Sequence, residues 1–221
     1  MSESARRIVW GVGTPRTLRV HWALHELGLA YETRPIQSRT GETLTSEFTA
    51  LNARQKIPVL QDGELTLTES AAIVTYLSDR YAAEAQALVP RETVARAQCL
   101  EACFFVLSEL DATTLYVIRR HEGLPHIYGE APAANVAARS YFLQQMRTIE
   151  RLLADERPFL LGMEFTAADL LLCTCLSWAR ACGIALSERV RTYQRGLTAR
   201  QAYVDASARN AVPARAPLEM P

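Results

Sequence analysis

The stretch that most constrains this chain runs from Arg7 to Ile36 and reads strand, helix, strand. "RIVWGV" (7–12) is a short apolar run. From Pro15 onward Val20, Ala23, Leu24 and Leu27 recur at i, i+3, i+4 and i+7, one face of a helix. Gly28 supplies the stop, and "AYETRPI" (30–36) is the second strand. Such a unit calls for parallel strands joined by a right-handed crossover. "TGETLTSEFTALN" (40–52) then gives a polar loop and a short helix, and "IPVLQDGELTLT" (57–68) a hairpin with a tight "QDGE" turn. "ESAAIVTYLSDRY" (69–81) is a closing helix. The order β-α-β-α-β-β-α is that of a thioredoxin-like fold.

Beyond residue 81 the pattern changes to helix throughout. Cys99, Ala102, Cys103, Val106 and Leu110 make one apolar stripe, and Phe142, Met146, Ile149 and Leu153 another. "TAADLLLCTCLSWARA" (166–181) is apolar nearly all round and predicts a central buried helix. A last helical region, 187–210, should break near Gly196. The expected organisation is α/β plus all-α. A thioredoxin-like domain spans 1–81, a linker marked by Pro90 spans 82–91, and a helical bundle spans 92–205. A loosely ordered tail with three prolines, 206–221, completes the chain.

Charge excludes one class of partner. The 24 basic and 24 acidic side chains balance, with nine of each in residues 1–81, so no half of the chain offers the basic face that nucleic acid requires. The start, "MSESARRIVWGVG", lacks the apolar core of a signal peptide. The most apolar later run is broken by Asp169, Thr174, Ser177 and Arg180, so no membrane span is expected. The five cysteines fit no disulfide framework and no paired zinc spacing. They read as buried free thiols in a cytoplasmic protein. His21 and His25, one turn apart on a helix, have no third ligand nearby, and a surface helix face is expected for them.

Four short motifs carry the candidate chemistry. Thr14-Pro15 is a favoured pair for a helix start, threonine as N-cap and proline at the first helical position. The same place suits a hydroxyl that donates to an anion held near the helix dipole. Lys56-Ile57-Pro58 opens a strand, with Pro58 at a position where a ladder donor is dispensable. Thr68-Glu69-Ser70 opens a helix whose first amide could bind a carboxylate. Thr166-Ala167-Ala168-Asp169 is a capping box, a structural device. On residues alone, each of the first three is both a cap or strand opening and a candidate ligand contact.

In their order, these pieces resemble the glutathione transferase family up to about residue 205. "TPRTLRVHWALHELGLAYE" is similar to the family's first helix and second strand. "FTALNARQKIPVLQDGELTLTESAAIVTYLSDRY" is similar to its cis-proline and Glu-Ser segment, and "FTAADLLL" to the core of its helical domain. The resemblance implies that Pro58 is cis and that Ile57 pairs with the cysteinyl backbone of glutathione. It implies that Glu69 and Ser70 hold the γ-glutamyl end, and that Arg39, Gln55 and Lys56 serve the glycyl carboxylate. Thr14 falls where serine-type members place the hydroxyl that meets the glutathione sulfur. Threonine departs from the family's usual tyrosine, serine or cysteine, and its β-branch restricts the rotamer. Arg16 and Thr17 are therefore rival contacts. A pocket for a small apolar electrophile is expected at Trp10, Val12, Tyr116 and Arg119.

The implied function is glutathione-dependent transfer to an electrophile by a homodimer, without metal. The alternatives are a binding or regulatory protein of this fold, or a glutathione-dependent isomerase, dehalogenase or peroxidase. No cysteine precedes Cys99, so a protein-thiol exchange mechanism at the first helix is not expected.

Overall fold

The structure, a computed structural model, describes residues 6–83 and 87–213. It comprises a thioredoxin-like domain followed by a helical domain. The first contains β1 (Arg7–Trp10), α1 (Pro15–Glu26), β2 (Glu32–Arg34), a 3₁₀ turn (Glu42–Leu44), α2 (Ser46–Leu51), β3 (Val59–Asp62), β4 (Leu65–Thr68) and α3 (Ser70–Tyr81). The sheet order is β2-β1-β3-β4. β1 and β2 are parallel, with Ile8 opposite Glu32, as the crossover requires. β3 runs antiparallel to both β1 and β4. Asp62 pairs with Leu65, so the hairpin turns on Gly63-Glu64, one residue later than "QDGE" centres it. Gly63 has φ +59°, the left-handed conformation that a two-residue hairpin needs.

The second domain contains α4 (Thr93–Phe105), α5 (Tyr116–Ile118), α6 (Pro125–Tyr128), α7 (Pro132–Leu152), α8 (Ala167–Ala181), α9 (Glu188–Thr198) and α10 (Gln201–Arg209). Both predicted stripes face inward: Cys99, Val106, Leu110, Phe142 and Ile149 are essentially fully buried. α8 is the central helix, with Leu170 to Leu176 wholly enclosed. α4 does not continue as a regular helix. It widens into π turns over Val106–Leu115, closed by the Tyr116 N–H donating to the Asp111 carbonyl, and again over Arg119–Gly123. One extra residue per turn shifts side chains around the axis, a device frequent at functional sites.

The two domains share one hydrophobic core. Trp22 of α1 is completely buried and packs on Phe165 at 5.4 Å and edge-on to Tyr203 at 4.9 Å. At the end of α1, Glu26 accepts from the Trp22 indole and from both arms of the Arg200 guanidinium, each at 2.7–2.8 Å. That bidentate pair ties α1 to the start of α10.

Three sequence expectations are corrected. The break in the last helical region falls at Ala199–Arg200, and Gly196 lies inside α9. The tail is ordered beyond residue 206: Ala206 is fully buried, α10 runs to Arg209, and Asn210 bonds to the loop before α1. All three prolines come later, at 213, 217 and 221, so nothing in 206–209 opposes a helix. The part of the tail at 214–221 lies outside the described residues. Finally, His21 is not on a surface face. It is buried, with Nε2 3.1 Å from the Gly11 carbonyl and Nδ1 3.0 Å from the Tyr31 hydroxyl. The tight strand-to-helix turn brings that carbonyl back over α1, which the helical period alone does not reveal.

Burial pushes the His21 imidazolium down from 6.5 to about 4 against the Gly11 hydrogen bond, with Arg209 adding to the fall. The unfolded chain therefore takes up this proton first. Stability from His21 is complete above 6.5 and is lost as pH falls towards 4, by about 3 kcal/mol. Urea midpoints measured between about pH 7.5 and 4.5 should fall accordingly, and His21→Gln should flatten that slope.

Candidate functional site

α1 starts where the sequence places it. Thr14 is the N-cap and Pro15 the first helical residue. The Thr14 hydroxyl oxygen accepts from the Thr17 N–H at 3.0 Å, and the Thr17 hydroxyl accepts from the Thr14 N–H at 3.0 Å. This is a capping box built from two threonines. Thr17 is fully buried, so its hydroxyl serves the cap and does not face the cleft. Arg16, the other rival, is half exposed at the cleft wall. Its guanidinium donates to Asp111 and lies 4.5 Å over the Tyr116 ring.

Beside Thr14 and Pro15 opens a cleft of about 370 Å³ between the domains. Its walls include Arg39, Gln55, Lys56 and Ile57 from the first domain, and Tyr116, Arg119 and Trp178 from the second. The Ile57–Pro58 bond is cis. Among the described residues the Ile57 main chain makes no hydrogen bond, since the β3 ladders begin at Val59. Arg16, Arg39, Arg54, Lys56 and Arg119 all line the cleft, and among the described residues none that lines it is acidic. Four of these cations come from the first domain and one from the second. The result is a concave site of positive potential, suited to a small dianion or polyanion.

Arginine–tyrosine stacking extends along this wall. Arg39 lies 4.9 Å over Tyr128 and donates to its hydroxyl; Arg120 lies 4.9 Å over both Tyr128 and Tyr116; Arg16 lies over Tyr116. The Arg39 hydrogen bond, with Lys56 and Arg120 nearby, holds the Tyr128 hydroxyl below its ordinary pKa. Stacking between arginine and aromatic faces here joins the loop after β2 to the short helix α6 across the mouth of the cleft.

Glu69 and Ser70 stand at the start of α3. Glu69 holds φ +69°, and its exposed carboxylate pairs with Arg54 at 2.9 Å. Ser70 is nearly buried, 3.4 Å from the buried Arg19 guanidinium. Gln55, at φ +54°, donates to Thr49. Two of the expected electrophile contacts are corrected. Trp10 packs with Phe48 at 6.0 Å on the other side of the sheet and donates its indole N–H to Gln61. Val12 is enclosed, its N–H bonded to Ile36. Strand alternation sends Trp10 away from the domain boundary, and Val12 lies buried beyond the end of β1. Tyr116 and Arg119 do line the cleft.

Sequence reasoning missed Arg19, Arg54, Asp111 and Asn210. Arg19 is completely buried, yet its guanidinium donates to Asp111 at 2.7 Å, Thr174 at 2.9 Å and Cys175 at 3.2 Å. Asp111, also buried, binds Arg19 and Arg16 together. Burial alone would raise its pKa, but Arg19 and then Arg16 outweigh burial and hold the carboxyl below the usual range. The only sequence signal was Arg19 lying between Leu18 and Val20. No cysteine lines this cleft, Cys182 lines the adjoining one, and burial pushes the Cys175 thiol up to about 12. Among the described residues no group of three or more His, Cys, Asp or Glu could hold a metal.

A second cleft of about 650 Å³ adjoins the first at Thr14, Pro15, Arg119 and Trp178. Leu18, Ile118 and Ala181 line it, with Asn210 and Val212 from the C-terminal segment.

A thioredoxin-like domain with a cis-proline turn, fused through an interdomain cleft to an all-helical domain, defines the class. The pattern of the glutathione S-transferase N-terminal domain matches residues 6–79. Over 179 residues the chain is 30% identical to glutathione S-transferase 1 of Schizosaccharomyces pombe, covering 79% of this chain and 74% of that one. It is also 30% identical over 145 residues to mouse glutathione S-transferase theta-2, covering 65% of this chain and 59% of the mouse protein's length. The theta class glutathione S-transferase of Xanthomonas axonopodis pv. citri, solved with glutathione bound, superposes with a TM-score of 0.75. It is 25% identical, covering 92% of this chain and 97% of that one. The chain belongs to the glutathione S-transferase family.

Breaking the Arg19–Asp111 pair from one side should be costly, because it strands a buried charge. Asp111→Ala should destabilise by about 3–5 kcal/mol, and the joint replacement Arg19→Met, Asp111→Leu by distinctly less. Urea unfolding of the wild type and both variants checks this. The carboxylate's stabilisation is present above its unfolded pKa of 3.8 and fades only below it, so the Asp111→Ala deficit should be constant from neutral pH to about 4.5.

Proposed function

We propose that this chain is a glutathione transferase that binds glutathione in the cationic cleft and activates its thiol for attack on a small apolar electrophile. The observation that carries the reading is the unpaired Ile57 main chain beside the N-terminus of α1, ringed by Arg39, Arg54 and Lys56. An extended peptide needs main-chain partners, and a peptide with two carboxylates needs compensating cations. Ile57, after the turn to Pro58, pairs with the cysteinyl residue. Ser70 and the first amides of α3 receive the γ-glutamyl carboxylate, and Glu69 receives its ammonium. Arg39, Gln55 and Lys56 serve the glycyl carboxylate.

Thr14 then acts as cap and donor together. The cap uses a lone pair of its oxygen and leaves the hydroxyl proton free to hydrogen-bond. In the resting chain the Thr17 oxygen, 3.0 Å away, competes for that proton. A thiolate is charged and is the stronger acceptor. The hydroxyl, the α1 dipole and the cations of the cleft all favour the thiolate, lowering the glutathione thiol from its reference near 8.5. The electrophile enters from the adjoining cleft over Leu18, Ile118 and Trp178. The division at residues 82–91 separates the glutathione-binding part from the helical part. The working form is a cytoplasmic homodimer in detoxification. Phe104 and Val94, 65% and 62% exposed on α4, support an association surface.

Retention on immobilised glutathione and thiolate absorbance of the bound peptide test the reading. The wild-type chain should be retained and should hold the thiol partly ionised at neutral pH. A chain that passes straight through is a binding module of another kind. Glu69→Gln and Ser70→Ala should each raise the KM for glutathione about tenfold while changing kcat less. Thr14→Val should raise the bound thiol's pKa and lower kcat at neutral pH. A titration unchanged by Thr14→Val would move the role to Arg16 or the helix amides.

A further inference from the structure

The C-terminal segment reaches the candidate thiol site through one side chain. Asn210 caps α10 and lies nearly 200 residues from the loop it grips. Its main-chain carbonyl accepts the Gly13 N–H at 2.8 Å, and its Oδ1 accepts the same N–H at 3.2 Å. Its Nδ2 donates to the Thr14 carbonyl at 3.2 Å. The peptide group before Gly13 and the one after Thr14 are therefore held by one residue. Val212 closes the same contact: Gly13 has φ +79°, and a Cβ there would meet the Val212 Cγ2 at 2.6 Å. Only glycine allows the segment to seat this closely.

Proton accounting shows what the fourth bond does. The Thr17 hydroxyl has one proton and three acceptors in reach. These are Asn210 Oδ1 at 2.6 Å, the Thr14 carbonyl at 2.8 Å and the Thr14 hydroxyl at 3.0 Å. Asn210 is the shortest. The Thr14 carbonyl already receives the Leu18 N–H at 3.0 Å and the Asn210 Nδ2, so it does not need the Thr17 proton. With that proton committed to Asn210, the Thr17 oxygen receives the Thr14 N–H and the Thr14 oxygen receives only the Thr17 N–H. The Thr14 proton then has two acceptors to choose between, the Thr17 oxygen and an anion in the cleft, and the charged acceptor is the stronger. Without Asn210, Gly13 and Thr14 lose these anchors, and the Thr14 hydroxyl is no longer held in place relative to the cleft.

We infer that Asn210 is a positioning residue for thiol activation: it fixes Thr14 so that the Thr14 hydroxyl donates into the cleft. The inference rests on the glutathione-binding reading above. It makes the C-terminal segment part of the site rather than a trailing end. Asn210 touches no reacting atom and acts only through Thr14 and Thr17.

The test is the thiolate titration of bound glutathione in wild type, Asn210→Ala, Thr14→Val and the double variant. Asn210→Ala should lower the thiolate fraction at neutral pH about threefold, one neutral hydrogen bond's worth, with the glutathione KM nearly unchanged. In the Thr14→Val background it should have no further effect, because the hydroxyl it positions is gone. A wild-type titration in Asn210→Ala overturns the proposal. So does an equal shift with and without the Thr14 hydroxyl, which would mark a general loosening. If Asn210→Ala does not fold, Asn210→Asp keeps the side-chain shape and the Oδ1 acceptor but loses the Nδ2 donor. It should shift the titration in the same direction, and an unshifted curve there overturns the proposal too. Failure of the wild-type chain to retain glutathione overturns the functional reading itself, and this inference with it.

Discussion

The buried ion pair between Arg19 and Asp111 is the constraint on which the rest of the architecture depends. It joins the first helix of one domain to the first helix of the other at a point closed to water. A guanidinium with no exposure is tolerable only when its donors are met, and here Asp111, Thr174, Cys175 and Ser70 surround it. Thr174 and Cys175 come from α8, Ser70 from α3 and Asp111 from the π segment. Four elements are thus indexed to one side chain. Replacing such a pair by hydrocarbon is often neutral for stability, so its use here lies in fixing the register of the domains. The second arm of Asp111 carries that register outward to Arg16, and so to the cleft wall.

The cleft is where the consequences of that register meet. α1 contributes the positive end of its dipole, and the turn before Pro58 contributes an open main-chain edge. Each is unremarkable alone. Held together by a shared core, they form a concave cationic surface that no described acidic residue lines. The π turns matter in the same way. A regular α4 would distribute Asp111, Tyr116 and Arg119 differently around its axis, whereas the widened turns direct Asp111 to the core and Tyr116 and Arg119 to the cleft.

Much of this was legible from local patterns. The Val20-Ala23-Leu24-Leu27 stripe, the Gly28 stop, the hairpin and the apolar α8 follow from nearest-neighbour periodicity and turn chemistry, and such signals survive without tertiary information. Thr14-Pro15 was legible as a helix start for the same reason. Less legible were residues whose environment is made by distant chain. Arg19 resembles any arginine on a helix until Asp111 arrives from 92 residues away. His21 looks like a surface residue until the Gly11 carbonyl folds back onto it. Trp10 and Val12 flank the right loop, yet strand alternation sends Trp10 elsewhere and Val12 lies buried. Asn210 reads as the end of a tail because nothing near it in sequence explains it.

By itself the sequence determined the two-part organisation, the elements and the helix start at Thr14, because caps, periodicity and turn residues act over a few positions of chain. The tertiary structure alone decided how that start is used. Whether a threonine hydroxyl that caps its helix can also reach a ligand depends on how its backbone is held. The nearest acceptor for the Thr17 hydroxyl is a side chain 193 residues away. Hydrogen-bond partners are settled by distances of a fraction of an ångström, and only the packed chain sets those distances.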